Sequence, residues 1–269
     1  MDLSVEIKGK GVPILCLHGH PGNNRCLSVF TNHLSQKWQT IAPDLRGYGK
    51  SRTAKQFQMS EHLEDLEKLI ELYKLESCLL LGWSLGGILA LELILRQPER
   101  FQGLVLVASA ARPRSSHPAI TKLDLFYSAI AGIINYLKPG WQWNIDTFGK
   151  RSLFRYIIQQ HTPLAYNYLA TEGTTAYLQT SRQAEAALNL ALKSGYNRLE
   201  DLSQIQVPCL LLAGAEDRHI TAQSSLETAQ KLSNCQWRCY PETAHLFPWE
   251  IPSQVLQDID EWLVRLSNK

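Results

Sequence analysis

Leu81-Gly82-Trp83-Ser84-Leu85-Gly86-Gly87 sits between two different kinds of apolar sequence. Residues 78–81 read as a buried strand. Residues 85–96 read as an apolar helix that must stop near Pro98. A Gly-x-Ser-x-Gly in that context is more specific than a chance Gly-Ser loop. The turn admits only small residues two places either side of the serine. It lifts the hydroxyl above the sheet, at the positive end of the following helix. Ser84 is therefore a candidate nucleophile, and a serine hydroxyl needs a base held in place by a third group.

The same alternation extends along the chain. Short apolar runs at 13–17, 38–42, 104–107, 209–213 and 236–240 read as strands. Between them lie helical patterns: one with Ser60 as N-cap, carrying Leu63, Leu66, Ile70 and Tyr73, and one at 223–232. The last helix shows Val255, Ile259, Leu263 and Leu266 on one face. Strands alternating with helices imply an α/β fold, a mostly parallel sheet covered on both faces. The stretch 112–200 has no strand signal and is rich in aromatics. It reads as a helical cap, its aromatics mostly forming its own small core, inserted between two strands. The expected division is a core of 1–111 with 201–269 and a cap of 112–200.

The remaining catalytic candidates follow from chain order. In this architecture the acid comes after a late strand and the histidine after the last one. Gly214-Ala215-Glu216-Asp217-Arg218 supplies Asp217, with Glu216 as its rival. Glu242-Thr243-Ala244-His245 supplies His245 as general base. An oxyanion hole is expected from His18-Gly19-His20-Pro21-Gly22, using the backbone N–H groups of His20 and Leu85. His18 is read as ordering that loop. Asp44 and Arg46 are read as a buried pair that shapes a turn.

With these residues in place, the chain resembles the α/β-hydrolase superfamily, through His18-Gly19-x-x-Gly22, Asp44-x-Arg46-Gly47-x-Gly49-x-Ser51, Gly82-x-Ser84-x-Gly86-Gly87, Asp217 and His245. Locally, residues 81–87 with Pro98-Glu99-Arg100 resemble the pimeloyl-acyl-carrier-protein methyl esterases. The His-Gly-x-Pro loop is similar to that of epoxide hydrolases and haloalkane dehalogenases, but those families need an aspartate where this chain has Ser84. The menaquinone-pathway lyases that share the triad usually carry arginine where this chain has Ile88.

Bulk properties narrow the function classes. The chain has 269 residues, 45% of them hydrophobic, and a net charge of +2, which does not suggest a nucleic-acid partner. No apolar run reaches the ~20 residues of a membrane span, and no leader pattern opens the chain, so a cytoplasmic protein without a membrane partner is expected. Of the six cysteines, Cys16, Cys78 and Cys209 lie in strand-like runs and read as small buried hydrophobes. No metal and no cofactor are expected. Between residues 112 and 200 there are ten Lys and Arg against five Asp and Glu, while the rest of the chain has 17 against 20. A basic cap would attract an anionic substrate or an acidic carrier protein. The expected activity is hydrolysis of a small-molecule carboxylic ester with an apolar acyl group, an acyl-carrier-linked methyl ester being one such substrate. The alternatives are a C–C hydrolase or lyase using the same triad, and a catalytically silent binding protein.

Overall fold

Successive residues of a strand face opposite sides of its sheet, and in this chain both sides are apolar. Leu15 and Leu17 enter one core while Ile14 and Cys16 enter the other. The structure, a computed structural model, describes residues 1–267. Its strands are β1 (Val5–Lys8), β2 (Pro13–Leu17), β3 (Gln39–Pro43), β4 (Cys78–Trp83), β5 (Phe101–Val107), β6 (Cys209–Gly214) and β7 (Cys235–Tyr240). They form one sheet in the order β1-β3-β2-β4-β5-β6-β7. Only the β1–β3 pair is antiparallel; the other neighbours run parallel.

The helices are α1 (Ser28–Leu34), α2 (Met59–Leu72), α3 (Leu85–Arg96), α4 (Lys122–Leu137), α5 (Gln142–Thr147), α6 (Pro163–Tyr168), α7 (Thr174–Leu178), α8 (Arg182–Lys193), α9 (Ala222–Lys231), α10 (Phe247–Glu250) and α11 (Pro252–Ser267). Leu66, Ile70, Leu89 and Leu93 carry α2 and α3 into one core. Phe30, Val255 and Ile259 carry α1 and α11 into the other. From β2 the chain goes to β3 on one side, and β4 then lies on the other side of β2. The carboxyl ends of β2 and β4 therefore flank the point where the winding reverses, the usual place for a site in such a sheet.

Two local readings are corrected. Helix α2 begins at Met59, so Ser60 lies inside its first turn. The Glu61 carboxylate reaches back to accept the Gln58 N–H at 2.8 Å, which places the cap before Ser60. Asp44 and Arg46 do not pair. The Asp44 oxygens accept the backbone N–H groups of Asn24 and Lys50, both at 2.8 Å. Arg46 turns instead to α2, binding both oxygens of Asp65 at 2.6 and 2.8 Å and Glu61 at 2.7 Å. Between β5 and β6 lie, among the described residues, helices and loops with no strand, and the aromatics there divide between inside and outside. Tyr156 and Tyr166 are buried, whereas Phe126, Tyr136, Trp143 and Tyr177 are exposed. In the same region Arg155 pairs with Asp124.

One core residue makes stability depend on pH. His62 on α2 packs edge-on to Phe57, ring centroids 5.1 Å apart, and neither ring nitrogen has a partner among the described residues. Burial pushes its pKa down from 6.5 to about 3. Below pH 6.5 the unfolded chain takes up a proton that the folded chain refuses, so stability falls as the pH drops. The slope approaches about 1.4 kcal/mol per pH unit for this group. His18, lowered to about 4 by burial, acts in the same direction. In His62→Phe, the loss of unfolding free energy between pH 7 and pH 5, measured by urea titration, should shrink by roughly 1–2 kcal/mol. An unchanged loss would remove His62 from this account.

Candidate active site

Ser84 occupies the turn between β4 and α3 with φ 54° and ψ −116°, a backbone conformation that non-glycine residues rarely adopt. Neighbouring backbone holds it there. Its N–H donates to Val107 O at 2.9 Å, and its carbonyl accepts from Ser109 Oγ at 2.9 Å. The two glycines of the turn are needed for space. A Cβ on Gly82 would strike the backbone of Gly86 and Gly87, and one on Gly86 would strike the carbonyl of Leu17. The loop after β2 lies directly on the serine: a Cβ on Gly19 would stand 3.0 Å from the Cβ of Ser84.

His245 sits on the turn between β7 and α10. Its Nε2 lies 3.1 Å from Ser84 Oγ, and its Nδ1 lies 2.8 Å from Asp217 Oδ2. A carboxylate only accepts, so Nδ1 carries the proton and the Nε2 lone pair faces the serine hydroxyl. Asp217 follows β6, and its other oxygen accepts the backbone N–H groups of His219 at 2.7 Å and Ile220 at 3.0 Å. Both oxygens are thereby fixed in direction. All three side chains are buried. Glu216 is exposed, and its backbone N–H donates to Thr243 O.

His18 and His20 have different surroundings. His18 is fully buried; its Nδ1 donates to Gly19 O at 2.8 Å, and its Nε2 accepts the Leu45 N–H at 3.0 Å, which ties the loop after β2 to the loop after β3. His20 pairs through Nδ1 with the Tyr48 hydroxyl at 3.0 Å and precedes a cis peptide to Pro21. Leu85 is the first residue of α3, so its N–H lies among the unpaired donors of a helix N-terminus. Among the described residues, no group of three or more His, Cys, Asp and Glu side chains is placed to hold a metal ion.

Sequence reasoning missed three residues at this site. Glu250, on α10, accepts the N–H of Ala244 at 2.9 Å with one oxygen and those of Gln159 and Gln160 at 3.0 and 2.6 Å with the other. It joins the turn before His245 to the segment that precedes α6, and its burial raises the carboxyl pKa. Trp83, the chain neighbour of Ser84, packs edge-on against Trp249, ring centroids 5.3 Å apart, and both are buried. The ring of His219 stands 4.9 Å from that of His245, and that of His117 stands 6.3 Å beyond. His219 as a residue is exposed, but desolvation of its ring, with His245 beside it, pulls the pKa down to about 4. Glu250 and His219 lie in no motif, and Trp83 fills a variable position of the Gly-x-Ser-x-Gly turn; only the spacing of His219 two residues after Asp217 hinted at it.

The model of the serine aminopeptidase S33 hydrolases matches residues 12–251. The chain belongs to this family. It is a member of the α/β-hydrolase superfamily and an enzyme of a serine hydrolase family. YisY of Bacillus subtilis, an AB hydrolase superfamily protein, is 27% identical over 81% of this chain and 79% of its own length. A pimeloyl-[acyl-carrier protein] methyl ester esterase of Aeromonas hydrophila is 36% identical, over 55% of this chain and 56% of its own. The solved structure of a thermophilic esterase from Thermogutta terrifontis superposes with a TM-score of 0.76 over 98% of this chain and 93% of that one, at 24% identity, and shares the fold.

Proposed function

We propose that this protein hydrolyses a carboxylic ester with an apolar acyl group through an acyl-enzyme intermediate. The observation that carries the reading is the relay from Ser84 Oγ through His245 to Asp217, at 3.1 and 2.8 Å. In the proposed reaction Ser84 attacks the ester carbonyl as His245 Nε2 takes its proton, and Asp217 stabilises the imidazolium. The backbone N–H groups of His20 and Leu85 hold the developing alkoxide, each worth roughly 3 kcal/mol of the barrier. His245 then protonates the leaving alcohol, and in the second half it activates water against the acyl-enzyme. No cofactor enters these steps. Residues 112–200 are read as the cap over this site, resting on a core of 1–111 and 201–269.

The resemblance to methyl ester esterases that act on an acyl-carrier protein favours one specific substrate, a carrier-linked methyl ester. The basic excess of residues 112–200 supports it, less Arg112 and Arg198, which pair with Glu227 and Glu92 outside that stretch. A substrate panel tests both levels. It contains p-nitrophenyl esters of increasing acyl length, a methyl ester on an acyl-carrier protein, and aminoacyl p-nitroanilides. Ester turnover with little or none on the anilides is expected, together with labelling by a fluorophosphonate probe. Turnover of anilides alone would replace the esterase reading with a peptidase one. Failure on the carrier-linked ester alone would remove only the finer substrate.

A further inference from the structure

Helix α4 is built inside out. Asp124, Ser128, Ala131 and Asn135 repeat at the spacing of one helical face, and this face is turned inward. Its polar groups are satisfied there. Asp124 receives Arg155 at 2.6 Å, and Ser128 Oγ accepts the Leu153 N–H at 2.9 Å. Asn135 donates to Tyr166 O at 2.7 Å and accepts the Gly140 N–H at 3.0 Å. The opposite face is apolar and faces outward. Leu123, Leu125, Phe126, Ile133, Tyr136 and Leu137 are each between 54% and 77% exposed. An ordinary surface helix has the reverse arrangement.

The surroundings of this face select its occupant. Just past the end of α4, Trp141 and Trp143 are exposed, with ring centroids 5.0 Å apart. The Lys138 ammonium sits 4.2 Å from the Trp141 ring centroid. Tryptophan and tyrosine beside lysine is the composition of the boundary between lipid acyl chains and headgroups. Lys122, Lys138, Lys150 and Arg151 are exposed along the same stretch; of its two acids, Asp124 is buried against Arg155 and Asp146 is paired with Lys150. A second copy docked face to face would bring these cations together, whereas an anionic lipid surface covers the apolar face and pairs with the cations at once.

We propose that α4 and the Trp141–Trp143 segment dock this protein on an anionic lipid bilayer, lying in the plane of the interface. Among the described residues no helix is long and apolar enough to cross a membrane; an interfacial helix needs only an apolar face and a basic margin. At 16 residues α4 lays about 24 Å of such a face on the surface. A run of ring contacts connects this end of the structure to the candidate site. His117, five residues before α4, packs against Tyr156 at 4.5 Å between ring centroids and leads through His219 to His245.

The test is sedimentation with vesicles of phosphatidylcholine alone and of phosphatidylcholine with equimolar phosphatidylglycerol. The protein should pellet with the anionic vesicles and far less with the neutral ones. The double variant Ile133→Glu with Leu137→Glu should weaken that binding about tenfold or more, since charged groups replace two side chains that enter the acyl region. Both positions are exposed, so its melting temperature and its turnover of a soluble short ester should match the parent. Three results would overturn the proposal. The parent could stay in the supernatant with both vesicles, or the double variant could bind as well as the parent. A parent that sediments in solution as a dimer, with the double variant a monomer, would mean that a second copy covers this face. Vesicle binding is read without turnover, so its failure and the failure of ester hydrolysis are separate results.

Discussion

Ser84→Ala will leave a folded protein whose kcat on a short ester is lower by a factor of about 10³ or more. The fold should survive because the backbone, more than the hydroxyl, holds this turn. Ser84 N–H and C=O keep their bonds to Val107 and Ser109 in the variant. Alanine meets the same positive φ of 54°, so no new strain is added. Among the described residues, the hydrogen bond removed is the one from Ser84 Oγ to His245 Nε2 at 3.1 Å. On the proposed mechanism no acyl-enzyme can then form, and the remaining rate would come from substrate binding and oxyanion stabilisation alone. KM should change little, since the lost group acts in bond formation more than in binding. The measurements are steady-state kinetics, a thermal melt and fluorophosphonate labelling, and the label should vanish with the activity. Turnover within tenfold of the parent, with the melt unchanged, would remove Ser84 from the role of nucleophile.

What sequence could reveal was set by how local the physical cause is. The turn at Ser84 was legible because its constraint is steric and close by: Gly82 and Gly86 leave room for backbone that has nowhere else to go. Most of the strands were legible because burial on both faces makes them continuously apolar. Strand β1 was missed; it is only four residues, none of them fully buried, at the sheet edge against β3. Arg46 was assigned to Asp44 because the two are neighbours in sequence, but its partners Glu61 and Asp65 come from a helix that starts more than ten residues later. Helix α4 shows the limit most plainly. Its high apolar content reads as buried, and only the three-dimensional arrangement reveals that Asp124 and Asn135 point in while Ile133 and Leu137 point out. His219 has no signature because a histidine in a loop gains meaning only when another ring, here that of His245, stands against it.

Asp217→Asn should be nearly as damaging as loss of the serine, with kcat reduced by about 10³–10⁴, and the reason is the direction of each hydrogen bond. In the parent, Asp217 Oδ1 accepts two backbone N–H groups, from His219 and Ile220. An asparagine has one oxygen, and those two donors hold it there. The amide NH₂ is left facing His245 Nδ1, where the carboxylate Oδ2 had accepted at 2.8 Å. Two donors cannot share that contact, so the imidazole must move its proton to Nε2. The nitrogen facing Ser84 then donates instead of accepting, and the serine loses its base while every heavy atom stays in place. Glu216→Gln offers the contrast. Glu216 is exposed and touches this network only through its backbone N–H, which the substitution leaves intact. Its kcat should stay within roughly threefold of the parent, as for other exposed charges without a tight partner. Running both variants on one ester, with melts to show that each is folded, separates the two neighbouring carboxylates. A mild Asp217→Asn beside a crippled Glu216→Gln would mean that the acid of the relay is Glu216 and that the Asp217–His245 contact is structural.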